Sequence, residues 1–182
     1  MDFNVSKILF MGAPSTGKTS LINALKGKGF VCYEEISRQV TQEARDEGIE
    51  HLFLEQPLLF SEKLLEGRIR QFLSANSVEQ SPVFIDRGLP DITAYLDMIK
   101  KPYPERFNNA NQEYRYDIVF WFPFWEDIYT ADEERYENLN LAKTIEKYLL
   151  KSYKMYNYNL IEMPKSSLEE RLNFLLSYLN LT

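Results

Sequence analysis

A short glycine-containing segment between two apolar stretches constrains the fold of this chain more than any other feature. The segment reads GAPSTGKT over residues 12–19, and it directly follows the apolar run of residues 8–11. From Lys18 onward the apolar residues repeat with helical spacing, and Gly27 is a typical stop for that helix. The pattern G-x-x-x-x-G-K-[ST] between a strand and a helix is the P-loop, a binding site for nucleotide phosphates.

The residue types in this segment have separate roles in phosphate binding. The glycines let the backbone curl so that N–H groups point at phosphate oxygens beside the positive N-terminus of the next helix. Lys18 supplies a positive charge for the β- and γ-phosphates, and the Thr19 hydroxyl is a hard ligand for Mg²⁺. We therefore predict ATP and Mg²⁺ as cofactors, with nucleotide contacts from Gly12, Ala13, Pro14, Ser15, Thr16, Gly17, Lys18, Thr19 and Ser20.

Length and composition exclude several other classes of protein. A chain of 182 residues, 45% of them hydrophobic and 26% charged, fits one domain over residues 1–182. A formal net charge of -6 opposes sequence-independent nucleic-acid binding, which needs a basic face. The single cysteine excludes an internal disulfide, no apolar run reaches bilayer length, and the N-terminus lacks a signal-peptide pattern. We expect a cytoplasmic protein with a small-molecule partner, no nucleic-acid partner and no membrane span; the oligomeric state stays open.

Strand-like and helix-like stretches alternate along the chain. Apolar runs predict strands at residues 8–11, 30–33, 83–86, 117–122 and 158–163. Between and after them, helical spacing predicts helices that begin near residues 18, 36, 57, 141 and 168. This alternation predicts a three-layer α/β fold, in which a mostly parallel sheet is covered by helices on both faces.

Charged residues stand at the ends of two predicted strands. Glu35 follows the second strand, with Arg38 three residues later, and Asp86 and Arg87 close the third. Sheets of this kind bind ligands outside the carboxyl ends of their strands. Transfer of a phosphoryl group to a hydroxyl needs one carboxylate as proton acceptor, another to organise Mg²⁺, and cations to neutralise oxygens. Either Glu35 or Asp86 is the base and the other holds Mg²⁺ through water; we favour Glu35 as base. Alternatively, Glu35 and Arg38 are solvated neighbours at a helix start.

Two large classes of P-loop protein do not fit the sequence. Motor-type ATPases carry Asp-Glu at the end of the strand that faces the phosphates, whereas Asp86 is followed by Arg87. Switch GTPases read guanine with an Asn-Lys-x-Asp stretch, and the chain contains none. A small-molecule kinase is therefore favoured.

Four segments besides the P-loop resemble one family over nearly the whole chain. They are the E-x-x-R at 35–38, DRGLPDITAY at 86–95, the stretch 122–135, and Met-Pro at 163–164 with SLEER at 167–171. The chain resembles the P-loop ATPase/kinase family that includes the ribosylnicotinamide-kinase domain of bacterial NAD regulators. This is an AAA-type ATP-binding family that is similar to nucleoside kinases.

The resemblance implies further details. It implies the strand order 2-3-1-4-5, a small helical lid at about 125–140, and Pro164 beside the adenine. The catalytic residues it implies are Lys18, Glu35, Asp86 and Arg135, and the substrate-binding residues are Glu35, Arg38, Arg87 and Asp91. Thr19 and Asp86 are the implied metal site.

Three functions remain open at this stage. The favoured one is Mg²⁺- and ATP-dependent phosphoryl transfer to a small hydroxyl acceptor such as a nucleoside-like metabolite. The second is a nucleotide-dependent regulatory module that hydrolyses ATP slowly. The third is a GTP-binding adaptor, for which the chain lacks a guanine motif.

The aromatic run FWFPFW at 120–125 has more than one interpretation. It could stack on a base or dock a partner, or its alternate rings could fill the core; we favour the core.

Overall fold

A sheet of five parallel strands lies at the centre of the computed structural model, which describes residues 6–128 and 139–181. The strands in chain order are β1 (Lys7–Met11), β2 (Cys32–Tyr33), β3 (Val83–Asp86), β4 (Ile118–Trp121) and β5 (Leu160–Glu162). Their order across the sheet is β2-β3-β1-β4-β5, and every neighbouring pair is parallel. The predicted order 2-3-1-4-5 is confirmed. It places β1, and the segment that follows it, in the middle of the sheet.

Helices connect the strands and cover both faces of the sheet. They are α1 (Lys18–Gly27), α2 (Ser37–Asp46), α3 (Leu52–Glu55), α4 (Pro57–Ala75), α5 (Leu89–Met98), α6 (Arg106–Glu113), α7 (Leu139–Met155) and α8 (Leu168–Tyr178). A short 3₁₀ helix covers Glu126–Ile128. The periodicity analysis did not predict α5 or α6. Seven of the ten residues of α5 are buried, so the apolar stripe of a surface helix is missing there.

The two faces of β1 show why the fold has three layers. Ile8 and Phe10 pack with residues of α1 and α8 on one side of the sheet. Leu9 and Met11 point the other way and pack with residues of α5 and α7. Successive side chains of a strand alternate between faces, so a central strand buried on both sides is apolar throughout. The run ILFM is such a strand.

The two edge strands are shorter than predicted. Only Cys32 and Tyr33 of the predicted 30–33 strand pair with β3, and only residues 160–162 of the predicted 158–163 strand pair with β4. Tyr158 belongs instead to the core, where its hydroxyl accepts a hydrogen bond from the backbone N–H of Tyr116. At Tyr158 the apolar pattern therefore reflects core packing and not strand pairing.

The last helix begins as the sequence predicts. The Glu170 N–H donates to Ser167 Oγ (3.3 Å) and the Ser167 N–H donates to Glu170 Oε2 (2.9 Å), which is a capping box. Of the predicted lid, residues 129–138 lie outside the described part of the chain. In the part that is described, no helix combines the length and apolar character needed to cross a bilayer.

Candidate active site

The predicted phosphate-binding segment forms a tight loop between β1 and α1. Ser15 and Gly17 have left-handed backbone conformations, with φ of 59° and 85°. Gly12 has φ of 156°, and a Cβ at that position would lie 2.5 Å from the backbone oxygen of Phe122. A glycine is therefore required there, because the loop lies against the end of β4. Left-handed residues between a strand and a helix N-terminus are the backbone geometry that a phosphate cradle requires.

Lys18 is buried under this loop. Its ammonium group donates to the backbone oxygens of Gly12 (3.0 Å) and Ala13 (2.8 Å) and to Thr16 Oγ1 (3.1 Å). Burial, reinforced by the charge of Arg87, lowers the pKa of Lys18 to about 7, although the charges of Asp86, Asp91 and Glu35 oppose the shift. The ammonium is thus a desolvated cation that a phosphate group would stabilise.

Asp86 ends β3 and lies beside Phe10 of β1 in the strand register. Its side chain is buried, and its Oδ1 has no hydrogen-bond partner among residues 6–128 and 139–181. Burial raises the pKa of Asp86 above its ordinary value, while Lys18 and Arg87 act in the opposite direction. A buried carboxylate oxygen without a donor is costly unless a cation or a water completes it.

The oxygen groups at this point suit Mg²⁺. Thr19 lies in the first turn of α1 with an exposed side chain, and the free oxygen of Asp86 lies on the neighbouring strand. No group of three or more His, Cys, Asp or Glu residues that could hold a metal occurs within the described ranges. Mg²⁺ does not need one, because it keeps several waters and binds substrate phosphates with one or two protein ligands. Thr19, and Asp86 through water, fit that role.

Glu35 follows β2 and is held by two arginines. Arg68 Nη2 lies 3.0 Å from Oε1 and 3.1 Å from Oε2, and Arg87 Nε lies 2.7 Å from Oε2. The Ser37 N–H donates to Oε1 at 2.9 Å. Burial by itself would raise the pKa of Glu35, but the charges of Arg68 and Arg87 outweigh it and hold this pKa below its ordinary value. Glu35 is therefore not a solvated helix-start residue, and that alternative is wrong for it.

Asp91 is part of the same network, yet it does not face the open site. Its side chain is 1% exposed, and its Oδ2 accepts hydrogen bonds from the backbone N–H of Gly88 (3.0 Å) and from the Tyr153 hydroxyl. Arg87 Nη1 lies 3.5 Å from its Oδ1. These neighbours enclose the carboxylate, although its Oδ1 has no hydrogen-bond partner among the described residues. The assignment of Asp91 to substrate binding stays a prediction.

Arg38 is the remaining residue of the predicted E-x-x-R pair. It lies near the N-terminus of α2 with an exposed side chain, one helical turn after Glu35. Arg135, the predicted lid arginine, lies outside the described residues.

Sequence reasoning missed two members of this network. Arg68 lies on α4 and is 4% exposed; besides binding Glu35, its Nη1 donates to the Gly88 oxygen at 2.6 Å. Tyr153, the other, is buried on α7. The only signal for Arg68 is a charged residue among the apolar positions of the α4 face, and Tyr153 offers no signal beyond an ordinary core aromatic.

On the other side of the phosphate loop, Arg171 joins three segments. Its Nη1 donates to the Thr16 oxygen (2.9 Å), its Nε donates to the Pro164 oxygen (3.0 Å), and its guanidinium lies 5.1 Å from the centroid of the Trp125 ring. Pro164, predicted to lie beside the nucleotide base, is thus linked to the phosphate loop. Arg171 itself was not predicted.

The aromatic run after β4 divides into core and non-core rings. Phe120, Phe122 and Phe124 are buried, as the favoured interpretation predicts. Trp121 and Trp125 are half-buried, and the Trp121 Nε1 donates to Glu146 of α7 at 3.3 Å.

The family follows from comparison of the sequence with known families. A family model described as "AAA domain" matches residues 7–171, which include every described residue of the site. The chain belongs to this AAA-domain family. No curated protein sequence matches it significantly. The resemblance to P-loop nucleoside-kinase-like proteins is confirmed at the level of the family.

Solved structures share the fold of this AAA-domain chain. NadR protein in complex with NR has a TM-score of 0.75 and 13% identity, over 98% of this chain and 52% of the NadR chain. Deoxyadenosine kinase from M. mycoides with dCMP and dCDP has a TM-score of 0.67 and 16% identity, over 96% and 98%. Thymidylate kinase from Candida albicans has a TM-score of 0.65 and 15% identity, over 97% and 91%. At these identities the likeness establishes the fold, a P-loop fold also found in nucleoside and nucleotide kinases.

Proposed function

We propose that this protein transfers the γ-phosphate of ATP to a hydroxyl group of a small, nucleoside-like acceptor, with Mg²⁺ as cofactor. One observation carries the proposal: a buried lysine under a phosphate loop, an incompletely bonded carboxylate and an arginine-bound carboxylate follow three adjacent strands of the sheet, β1, β3 and β2. The neighbours with the same fold are named as nucleoside and nucleotide kinases, which supports the class of acceptor.

The first role is phosphate binding. Lys18 and the N–H groups of residues 12–19 hold the triphosphate, and Arg87 carries a second positive charge near the transferred group. Phosphoryl transfer depends mainly on position and charge neutralisation, because charge spreads over the oxygens of the transferred group.

The two carboxylates take different roles because their access to solvent differs. The Glu35 side chain is 18% exposed, so an acceptor hydroxyl can reach it by replacing one arginine hydrogen bond. Asp86 is 4% exposed and lies beside the loop lysine, where it suits a metal-bound water. Mg²⁺, when bound, would supply positive charge to the phosphate oxygens. We therefore assign Glu35 to the acceptor hydroxyl and Asp86, with Thr19, to Mg²⁺.

A lowered pKa does not disqualify Glu35. The arginines keep it ionised at neutral pH, so it is always able to accept a hydrogen bond from the hydroxyl. In a loose transition state the proton leaves late, and orientation of the hydroxyl matters more than basicity.

The experiment is a panel of nucleosides, nucleotides and other small alcohols incubated with ATP and Mg²⁺, with phosphorylated products identified by mass spectrometry. Wild type should phosphorylate at least one member, and Lys18→Ala should not. ATP hydrolysis at the same rate with and without every acceptor would favour the regulatory ATPase. Absence of both ATP binding and ATP turnover would refute the proposal.

A further inference from the structure

The direction of a bound nucleotide follows from the order of the strands. The phosphate loop follows β1, the central strand, and the carboxylate and arginine cluster lies on the β3 and β2 side of it. If the γ-phosphate faces that cluster, as the proposed function requires, the nucleoside end must point to the β4 and β5 side. There Arg171 contacts the loop, and it also contacts Pro164 and Trp125.

Arg171 at this side is a buried cation without a carboxylate partner among the described residues. Its side chain contacts two backbone oxygens, those of Thr16 and Pro164, and one aromatic ring. Burial lowers the pKa of Arg171, and no acidic residue contributes to the shift. Arg171 therefore does not serve in an ion pair. It holds the phosphate loop, the segment before α8 and the Trp125 ring at fixed relative positions.

Trp125 makes a second contact, through its indole nitrogen. Its Nε1 donates to Asp127 Oδ2 at 2.8 Å, and Arg171 lies over the ring. The residue is partly exposed, in contrast to the buried rings of Phe120, Phe122 and Phe124 in the same run. A fixed, partly exposed aromatic surface beside a phosphate loop is suited to stacking of a base.

We propose that the indole of Trp125, fixed by Arg171, is the stacking surface for the base of the bound nucleotide. The inference rests on the proposed function, because it needs a nucleoside triphosphate in the loop. Stacking is tolerant of base identity, since every base has a π face. Trp125 therefore contributes similarly to the binding of ATP and GTP.

The test compares nucleotides with a ligand that has no base. Dissociation constants for ATP, GTP and inorganic tripolyphosphate, each with Mg²⁺, are measured by calorimetry on wild type, Trp125→Leu, Trp125→Phe and Trp121→Phe. Trp125→Leu should weaken binding of both nucleotides roughly ten- to a hundredfold and leave tripolyphosphate within about twofold. Trp125→Phe should retain most of the nucleotide affinity. The control Trp121→Phe should leave the affinities for nucleotides and for tripolyphosphate unchanged. Melting curves identify any variant that fails to fold.

Fluorescence gives a second readout that does not depend on Trp125→Leu. The chain has two tryptophans, so Trp121→Phe leaves Trp125 as the only one. Its emission should change with ATP and not with tripolyphosphate.

Four results would overturn the inference. Equal loss of affinity for all three ligands in Trp125→Leu would mean that the ring only supports the loop. Unchanged or tighter nucleotide binding would mean that it does not stack on the base. If wild type binds tripolyphosphate and ATP equally well, the base has no subsite, although the phosphate site stands; if it binds none of the three, the proposed function fails with the inference.

Discussion

Arg87 joins two strand ends, because its Nε lies 2.7 Å from Oε2 of Glu35. Arg87 directly follows β3, and Glu35 follows β2, the strand next to it. The backbone of Arg87 has a φ of 68°, an uncommon value for a residue with a side chain. The Arg87 N–H donates to the Phe10 oxygen of β1. The ion pair thus has its position fixed by the three strands whose ends form the candidate site.

The first prediction concerns Arg68, the second cation on Glu35. Arg68→Met leaves Arg87 as the remaining cation on Glu35 and removes the hydrogen bond to the Gly88 oxygen. The free energy of unfolding should fall by about 3 kcal/mol, as for a broken buried ion pair. Turnover should fall roughly ten- to a hundredfold through misplacement of Glu35, with ATP affinity within about twofold of wild type. Steady-state kinetics, calorimetry and urea unfolding measure the three effects, and Arg70→Met, at an exposed position of α4, is the control.

The pH dependence of that stability loss has a definite sign. The pKa of Glu35 is lower in the folded state than its ordinary value, so its ion pairs stabilise the fold above pH 4.5 and are lost as pH falls through the folded value. The difference in unfolding free energy between wild type and Arg68→Met should therefore narrow on acidification below pH 4.5. A constant difference from pH 7 to pH 3 would contradict the assigned pKa shift.

A second prediction couples ATP binding to protonation of Lys18. The pKa of Lys18 is about 7 without ligand, and a triphosphate should raise it toward the ordinary value. Above pH 7 the complex then holds a proton that the free protein lacks, so ATP binding takes up a proton and weakens as pH rises. Calorimetry at pH 8 in buffers of different ionisation enthalpy measures this uptake. Lys18→Met should lose it, and the exposed Lys28→Met should keep it; identical uptake in all three proteins would exclude Lys18 as the source.

A third prediction separates Asp86 from Glu35. Asp86→Asn removes the negative charge of the carboxylate that we assign to Mg²⁺ binding. The Mg²⁺ concentration for half-maximal turnover should therefore rise about tenfold or more. Glu35→Gln should leave that concentration unchanged and lower turnover by roughly 10² to 10⁴, as for loss of a general base. Titrations of Mg²⁺ at saturating ATP compare the variants. A shift in Mg²⁺ dependence for Glu35→Gln alone would reverse the two assignments.

A fourth prediction uses two glycines as a matched pair. Gly12→Ala brings a Cβ within 2.5 Å of the Phe122 oxygen at a φ of 156°, whereas a Cβ at Gly27 meets nothing within 4 Å. Gly12→Ala should cost about 1–3 kcal/mol of unfolding free energy and abolish tight ATP binding. Gly27→Ala should stabilise α1 by about 0.5–1 kcal/mol and leave binding unchanged. Thermal melting with and without ATP measures both; similar behaviour of the two variants would show that the loop tolerates a side chain at residue 12.

The sequence sufficed for the parts of the fold that rest on local pattern. The loop at 12–19, the central strand and the start of α8 follow from spacing and residue type, so their prediction succeeded. Helix α5 did not follow, because burial on most sides removes its amphipathic period. The edge strands were predicted too long, because an apolar residue such as Tyr158 packs in the core without a partner strand.

Outside the phosphate loop, the site was predictable only where charges follow strands. Glu35, Asp86 and Arg87 share that position, and topology alone brings them together. Arg68 and Arg171 come from helix interiors, and their roles depend on which backbone oxygens and carboxylates lie opposite, which spacing along the chain does not encode. The enclosure of Asp91 was not predictable for the same reason, since a motif position does not show that a side chain is buried.

The most direct test of the account is the rate of ADP formation from ATP and Mg²⁺, measured with and without the acceptor that the metabolite panel identifies. The account predicts slow ADP formation by wild type alone, strong acceleration by the acceptor with one phosphorylated product per ADP, and loss of that acceleration in Lys18→Ala and Glu35→Gln. Equal rates with and without every acceptor, or acceleration that survives in Lys18→Ala, would contradict phosphoryl transfer at this site.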